Sequence, residues 1–380
     1  MKSERAEHLS SVKRVVIKIG SSLLADPKKK GIKTAFLRHL AGQIKTLQKR
    51  GLQCLVVTSG AIAAGLFELG LDKKPKEIEK LQALAAIGQS KLMHAYEVVF
   101  KKNGLKVAQI LLTREDMENR QRYSNAHNTV MELLRHKIIP VVNENDTVAV
   151  EEIKFGNNDI LGTLVAHLSQ ADLLVLLTDK DGLFSEDPAL NPKARLISGV
   201  RDINKEIERG ASRSRSLVGT GGMQAKIQAA KNMMLSGVPM VIANGRRRDI
   251  LNKIMAADEV GTFFFPMKVK MSSRKNWLAW SVNPKGEIVV DDGARRALIE
   301  MNKSLLPTGI QKVLGHWDQD DIIKITDSNG LEIARGLSNF SSRDLELVKG
   351  LRTQELHKKL GRKTPDEAVH RDNMVKLVNS

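Results

Sequence analysis

Six short apolar runs in the first two thirds of the chain constrain the fold more than any other feature. They are RVVIKI, QCLVVT, KVAQILL, KIIPVV, DLLVLLT and VPMVIA. Segments with helical periodicity separate them. Strands that alternate with helices are typical of an α/β domain built on a mainly parallel sheet. The pattern therefore predicts an α/β fold for this part of the chain.

The segment between the first two runs illustrates the pattern. Thr34 is a candidate N-cap, and Gly51 can end a helix in a left-handed turn. Five apolar residues recur between them at helical spacing: Phe36, Leu37, Leu40, Ile44 and Leu47. The segment therefore predicts one complete βαβ unit.

The alternation of apolar runs with helical segments ends near Pro266. From about Pro284 the chain holds short alternating strands, GEIVV, DIIKI and LEIARG, separated by NPKG and DSNG turns. This pattern predicts a small β-rich second domain. The predicted division is a first domain over 1–267 with a flexible N terminus at 1–13, a linker at 268–283, a second domain over 284–367 and a tail at 368–380.

Cysteine content and hydropathy restrict the cellular compartments in which the protein is expected. The single cysteine, Cys54, rules out an internal disulfide and a Cys-rich metal site. No apolar stretch approaches the ~20 residues that span a bilayer, and MKSERAEHLS lacks the apolar segment of a signal peptide. We therefore expect a soluble cytoplasmic protein with no membrane partner.

The formal net charge of +18 favours anionic partners, which include nucleic acids. Lys and Arg outnumber Asp and Glu by 41 to 28 up to Met267 and by 20 to 15 from Lys268 onward. Because both parts are basic, the charge suits anionic substrates as well as RNA. RNA binding stays an alternative.

Polar, Gly-rich loops follow four of the apolar runs. They are GSS, SGAIAAG, NENDT and DKDGLF. Ligands of open parallel sheets bind at the carboxyl ends of the strands. We therefore expect these four loops to converge on one edge of the sheet.

Lys18 interrupts the first apolar run, where an unpaired ammonium would be costly to bury. One interpretation is a surface lysine whose stem is covered. The other places its charge on the phosphates of a nucleotide, beside the backbone N–H groups of Gly20 and Ser21.

A second candidate phosphate loop is GTGGMQAKI, residues 219–227. Its glycines allow close approach of the backbone, and a helix that begins near Met223 would favour an anion at its N terminus. Lys226 would lie on the first turn. The spacing does not match a Walker A motif, and an ordinary Gly-rich turn is the alternative.

Two acidic clusters lie between these loops, NEND at 143–146 and FGNND at 155–159, with a predicted hairpin through 150–154. Surface loops are often equally polar. Together with two lysine-bearing loops, however, the clusters indicate a site for a cationic group or Mg²⁺.

Six motifs carry a resemblance to a known family: KIGSS, VTSGAIAAG, LLTREDMENR, NENDTVA, LLTDKDGL and GTGGMQAKIQAA. In this order they resemble the amino-acid kinase family, and within it the members that phosphorylate the side-chain carboxylate of L-glutamate. GEIVVDDGARRAL, SLLPTGI and EAVHRDNM are similar to a C-terminal PUA domain. The resemblance implies a three-layer α/β sandwich with a mainly parallel central sheet, followed by a small β-rich PUA domain. It also implies a chain complete at both ends.

The resemblance implies roles for individual residues. Lys18 and Lys226 would be catalytic, and Asp159 would organise the two lysines. The residues implied at ATP are Lys18, Gly20, Ser21, Thr178, Asp179, Thr220, Gly221, Gly222, Met223, Gln224, Ala225 and Lys226. The residues implied at the substrate are Ser59, Gly60, Asp146, Asn157 and Asn158. Mg²⁺ would be held mainly through the ATP phosphates.

The sequence departs from the family pattern at two positions. Asn157 stands where the family usually has Asp, which removes a negative charge beside the substrate site. Ala225 stands where a hydroxyl residue is common, which removes at most one hydrogen bond. Since Lys18, Asp159 and Lys226 are present, we expect activity.

The implied reaction makes γ-glutamyl phosphate, in the first step of proline biosynthesis. The resemblance also implies a homo-oligomer, dimer or tetramer, proline inhibition at the glutamate site, and a downstream glutamyl-phosphate reductase. Two alternatives remain. One is a kinase of the same family acting on aspartate, acetylglutamate, carbamate or a nucleotide, and the other is an RNA-binding PUA protein.

Overall fold

The computed structural model describes residues 4–26, 30–149, 158–188, 190–191, 193–204, 207–208, 222–267, 275, 277–281, 283–362 and 364–377. The chain forms two compact units, Met1–Lys270 and Met271–Ser380. Among the described residues, no helix is both long and apolar enough to cross a membrane.

Helices and strands alternate through the first unit. In chain order its elements are α1 (Glu4–Ser10), β1 (Arg14–Ile19), α2 (Ser21–Leu24), β2 (Ala25–Asp26), β3 (Gly31–Ile32), α3 (Thr34–Lys49), β4 (Gln53–Val57), α4 (Ala61–Glu68), α5 (Ile78–Lys101), β5 (Val107–Leu112), α6 (Arg114–Glu118), α7 (Arg120–Arg135), β6 (Ile139–Glu144), α8 (Asn158–Leu168), β7 (Leu173–Thr178), β8 (Gly199–Val200), α9 (Met223–Leu235), β9 (Met240–Asn244), α10 (Ile250–Met255) and β10 (Thr262–Phe264).

The main sheet has the strand order β5-β6-β4-β1-β7-β9-β10-β8. Its pairs are parallel except β9 with β10. Every residue of β7 is buried, as are the last five residues of β1. The six apolar runs therefore form six strands of one mainly parallel sheet, which confirms the predicted fold class.

The first βαβ unit contains one correction. Gly51 has φ +87°, so its predicted left-handed conformation is confirmed. The prediction of Thr34 as N-cap is wrong, because Lys33 holds that position and Thr34 is the first helical residue. Lys33 is fixed by the preceding segment, since its N–H donates to Leu24 O and its Nζ donates to Ser22 O.

The second unit is built on a separate five-stranded sheet. Its elements are a π-helical turn (Trp277–Ser281), β11 (Gly286–Val290), α11 (Asp292–Ile299), a 3-10 turn (Pro307–Gly309), β12 (Ile310–Gly315), β13 (Ile322–Thr326), β14 (Glu332–Leu337), α12 (Ser342–Val348), α13 (Thr353–Leu360), a 3-10 turn (Arg371–Asn373) and β15 (Met374–Lys376). The strand order is β12-β11-β13-β14-β15, with only the β11–β13 pair parallel within the described sheet. The predicted β-rich second domain is confirmed, although the sequence pattern missed β12 and β15.

Helices α4 and α5 pack closely through two glycines. A Cβ atom built on Gly88 would lie 1.8 Å from Ala61 O and 2.4 Å from Gly65 N. A Cβ on Gly65 would lie 2.0 Å from Leu84 O. Only glycine therefore allows the backbones to approach this closely.

We predict that Gly88→Ala destabilises the protein, because the added methyl group forces α4 and α5 apart. Overpacking of this kind costs about 1–3 kcal/mol, and about 1 kcal/mol shifts the melting temperature of a domain this size by ~2–4 °C. The matched control is Gly42→Ala on α3, where an added Cβ meets nothing within 4 Å. That variant should melt at the wild-type temperature or slightly higher. Equal melting temperatures of the two variants in thermal unfolding would contradict the prediction.

Candidate functional site

A buried carboxylate between two lysines forms the centre of the candidate site. Asp159, in the first turn of α8, is 0% exposed. Lys18 Nζ on β1 lies 2.5 Å from its Oδ1, and Lys226 Nζ on α9 lies 2.9 Å from its Oδ2. Both lysines are buried as well. The surface interpretation of Lys18 is therefore wrong.

The titration behaviour of this triad follows from burial and charge. Burial raises the pKa of Asp159, but Lys18 and Lys226 outweigh that effect and hold the pKa below its usual value. Burial lowers the pKa of Lys18, and Asp159 only partly opposes this effect. With both lysines charged the triad carries one net positive charge, which suits an anionic ligand.

Three strand ends meet beside this triad. The Gly20 N–H donates to Leu177 O at 2.9 Å, which joins the ends of β1 and β7. The Gly245 N–H donates to Thr178 O at 2.8 Å, which joins the ends of β7 and β9. Thr178 Oγ1 in turn donates to Asp179 Oδ1 at 3.2 Å. Residues predicted at the nucleotide thus lie on adjoining loops of one sheet edge.

Helix α9 begins next to the triad. Gly222 is its N-cap residue. Met223, Gln224 and Ala225 form the first turn with Lys226. The predicted helix start near Met223 is confirmed. Thr220 and Gly221 lie outside the described residues.

A second group of polar side chains adjoins the triad through Asn158, the residue before Asp159. Asn158 Nδ2 donates to Thr58 O, to Ser59 Oγ at 3.0 Å and to Asn143 Oδ1 at 3.0 Å. Asn143 Nδ2 donates to Gln89 Oε1 at 2.9 Å. The structure therefore brings the predicted substrate residues Ser59 and Asn158 together.

The remaining predicted substrate residues are more scattered. Gly60 caps α4 with φ +98°, directly after Ser59. Asp146 lies in the turn that follows β6. Asn157 and the predicted hairpin through 150–154 lie outside the described residues.

Several residues of this region were missed from the sequence. Gln89 and Tyr96 both lie on the buried face of α5, and Tyr96 Oη is 3.0 Å from Thr58 Oγ1. Asp181 accepts two hydrogen bonds from Arg247, which link the loops after β7 and β9. A polar residue on an apolar helix face was the available signal for Gln89. Sequence gives no comparable signal for the Asp181–Arg247 pair.

The described residues contain no group of three or more His, Cys, Asp or Glu side chains that could hold a metal ion. Asp159 directs one carboxylate oxygen at each lysine.

Residues 13–244 match the model of the amino acid kinase family, and residues 286–360 match that of the PUA domain. The chain belongs to the amino acid kinase family. A glutamate 5-kinase of Pelobacter propionicus is 47% identical over 98% of this chain and 100% of its own length. One from Geobacter sulfurreducens is 48% identical with the same coverage. Among solved structures, a UMP kinase from Bacillus anthracis is 17% identical with a TM-score of 0.47, over 67% of this chain and 96% of its own.

The amino acid kinase unit also contains a buried histidine at the other end of α8. His167 is 2% exposed, and its Nε2 lies 3.4 Å from Ser236 Oγ. Burial lowers the pKa of His167 to about 3, against ~6.5 in an unfolded chain. Below pH ~6.5 the unfolded state therefore binds a proton that the folded state does not.

We predict that stability falls as the pH drops from about 6.5 toward 4, by up to ~1.4 kcal/mol per pH unit from this group. His167→Gln should make the pH dependence of the urea midpoint shallower over that range. His136→Gln, at the exposed C-cap position that follows α7, is the control and should keep the wild-type slope. Parallel profiles for wild type and His167→Gln would contradict the prediction.

Proposed function

We propose that this protein is a glutamate 5-kinase, which transfers the γ-phosphoryl group of ATP to the γ-carboxylate of L-glutamate. The observation that carries the proposal is the buried Lys18–Asp159–Lys226 triad at the carboxyl ends of the strands. Similarity to glutamate 5-kinases over nearly the whole chain supports the choice of substrate.

The reaction needs no general base. The side-chain carboxyl group of glutamate has a reference pKa of about 4.3, so it is already a nucleophile at pH 7. Its oxygen attacks the γ-phosphorus, the bond from that phosphorus to the β-γ bridging oxygen breaks, and ADP leaves. The obstacle is repulsion between the carboxylate and the phosphates.

Two fixed positive charges address this obstacle. Asp159 holds Lys18 and Lys226 in place before the substrates bind, so little reorganisation is needed as charge develops. The N–H groups in the first turn of α9 add donors for phosphate oxygens, whereas the Gly20 N–H already donates to Leu177 O. Mg²⁺ bound by the ATP phosphates supplies further charge neutralisation.

The substrate end consists of uncharged amide and hydroxyl groups together with Asp146. Ser59 and Asn158 adjoin the triad, and Asn158 is the chain neighbour of Asp159. An amino acid bound there would have its side-chain carboxylate directed toward the lysines. This arrangement favours an amino acid with a free amino group, rather than a nucleotide, as the substrate that receives the phosphoryl group.

We further propose the cellular setting of the reaction. The product γ-glutamyl phosphate is a labile acyl phosphate, so a downstream glutamyl-phosphate reductase in the proline pathway is the natural consumer. The single buried cysteine is compatible with a reducing cytoplasm. A homo-oligomer, dimer or tetramer, completes the proposal.

Lys18→Met and Lys226→Met each remove an ammonium and keep an apolar stem. We expect each to lower kcat about a hundredfold or more, because removal of a single preorganised donor that stabilises transition-state charge has an effect of this size in other enzymes. The measurement is glutamate-dependent ADP release under steady-state conditions. Lys45→Met, at an exposed position on α3, is the control and should keep wild-type turnover. Wild-type kcat in both active-site variants would refute their roles.

The substrate itself is tested with L-glutamate, L-aspartate, N-acetylglutamate and UMP in parallel. We expect ADP release with glutamate and background rates with the others, because only glutamate offers a free amino group at the required distance from the carboxylate. Activity confined to any of the other three would overturn the proposed function.

A further inference from the structure

Three amide side chains form a buried relay that leads away from the candidate substrate site. Asn158 Nδ2 donates to Asn143 Oδ1 at 3.0 Å, and Asn143 Nδ2 donates to Gln89 Oε1 at 2.9 Å. Asn143 is 2% exposed and Gln89 is 9% exposed. The relay crosses from the start of α8 through the end of β6 to the middle of α5.

The carbonyl group of Thr58 shows in which direction the hydrogen bonds of this relay run. Thr58 O can only accept, so the amide group that faces it must be the NH₂ group of Asn158. That NH₂ group therefore also faces Asn143, whose oxygen must accept. The NH₂ group of Asn143 then faces Gln89, whose oxygen must accept in turn.

This direction of the hydrogen bonds leaves a polar group of Gln89, at the end of the relay farthest from the site, without a partner among the described residues. With its oxygen directed at Asn143, Gln89 places Nε2 where the described residues offer no hydrogen-bond partner. A buried donor left without a partner is unfavourable. Rotating the Gln89 amide by half a turn would bring Nε2 opposite Asn143 Nδ2, and two donors would then face each other. The unpaired donor therefore lies on α5, while the NH₂ groups of Asn143 and Asn158, nearer the site, are both hydrogen-bonded.

The relay also decides which atoms remain for a substrate. The two hydrogens of Asn158 Nδ2 are shared among three acceptors, Thr58 O, Ser59 Oγ and Asn143 Oδ1, so Oδ1 is the atom of this amide that is left to bind a ligand. Ser59 Oγ donates its hydrogen to Ile19 O at 3.1 Å and accepts from Asn158, which leaves it only a lone pair. The side chains of Asn158 and Ser59 therefore offer acceptors and no donors to a ligand.

We propose that Gln89 is a positioning residue which, through Asn143, holds Asn158 Oδ1 as a hydrogen-bond acceptor for the ammonium group of the amino-acid substrate. This inference rests on the proposed function. An ammonium group has three donors and no acceptor, so it matches an acceptor-only surface, whereas a carboxylate does not. Gln89 acts on recognition of the substrate amine and leaves the phosphate end of the site unaffected.

The test compares L-glutamate with glutarate, which has the same two carboxylates and no ammonium group. Gln89→Leu removes the acceptor for Asn143, so the preference in kcat/KM for glutamate over glutarate should fall about tenfold or more. KM for ATP should stay unchanged. Gln89→Glu keeps an acceptor in the same place and should restore the wild-type preference.

A matched control separates positioning from general destabilisation. Gln43 on α3 is also buried and accepts a hydrogen bond from the Leu251 N–H at 2.8 Å, outside the relay. Gln43→Leu should lower the melting temperature and leave the glutamate preference unchanged. An unchanged preference in Gln89→Leu would overturn the inference, as would parallel changes in the KM values for glutamate and ATP.

A second measurement does not depend on turnover. In protein labelled with ¹⁵N-asparagine, the side-chain amide hydrogens of Asn143 should exchange slowly with solvent in wild type and Gln89→Glu, and faster in Gln89→Leu. Equal exchange in all three proteins would refute the relay. Absence of glutamate turnover by the wild-type protein would instead contradict the proposed function, and the exchange rates would still decide the relay.

Discussion

The ion triad of Lys18, Asp159 and Lys226 is the interaction on which the rest of the structure depends. Burying three charges is unfavourable unless each is paired with good geometry. Here Asp159 on α8 directs one carboxylate oxygen at each lysine. Lys18 lies on β1 and Lys226 lies on α9. The triad therefore forms only when β1, α8 and α9 have all packed correctly. The same packing creates the positive site.

The order of the strands explains why the two halves of the site adjoin. Strand β1 lies between β4 and β7, so the loop after β1 adjoins Ser59 after β4 and Thr178 at the end of β7. Helix α8 begins at this edge with Asn158 and Asp159 in succession. Consecutive residues thus serve the acceptor surface and the lysine pair. A small shift of α8 would disturb both halves together.

Periodicity and polar interruptions in the sequence were enough to predict the parallel sheet, the second β-rich unit and the importance of Lys18. The pairing of Asp159 with both lysines was implied only by family resemblance, because no local pattern links residues 141 and 67 positions apart. Gln89 and Asn143 are 54 positions apart, so no local pattern indicated their pairing either. The N-cap at Thr34 was misassigned because contacts from the preceding segment hold Lys33 at the helix entry.

The two halves of the proposed site would recognise their ligands through different interactions. The lysine pair acts through charge, so it attracts any sufficiently anionic group and weakens when salt screens it on the approach path. The amide relay carries no net charge and selects by the direction of its hydrogen bonds. The side-chain acceptors of Asn158 and Ser59 match an ammonium group better than a carboxylate. In the role proposed for Gln89, the direction of hydrogen bonding along the relay therefore favours one orientation of an amino acid over the reverse.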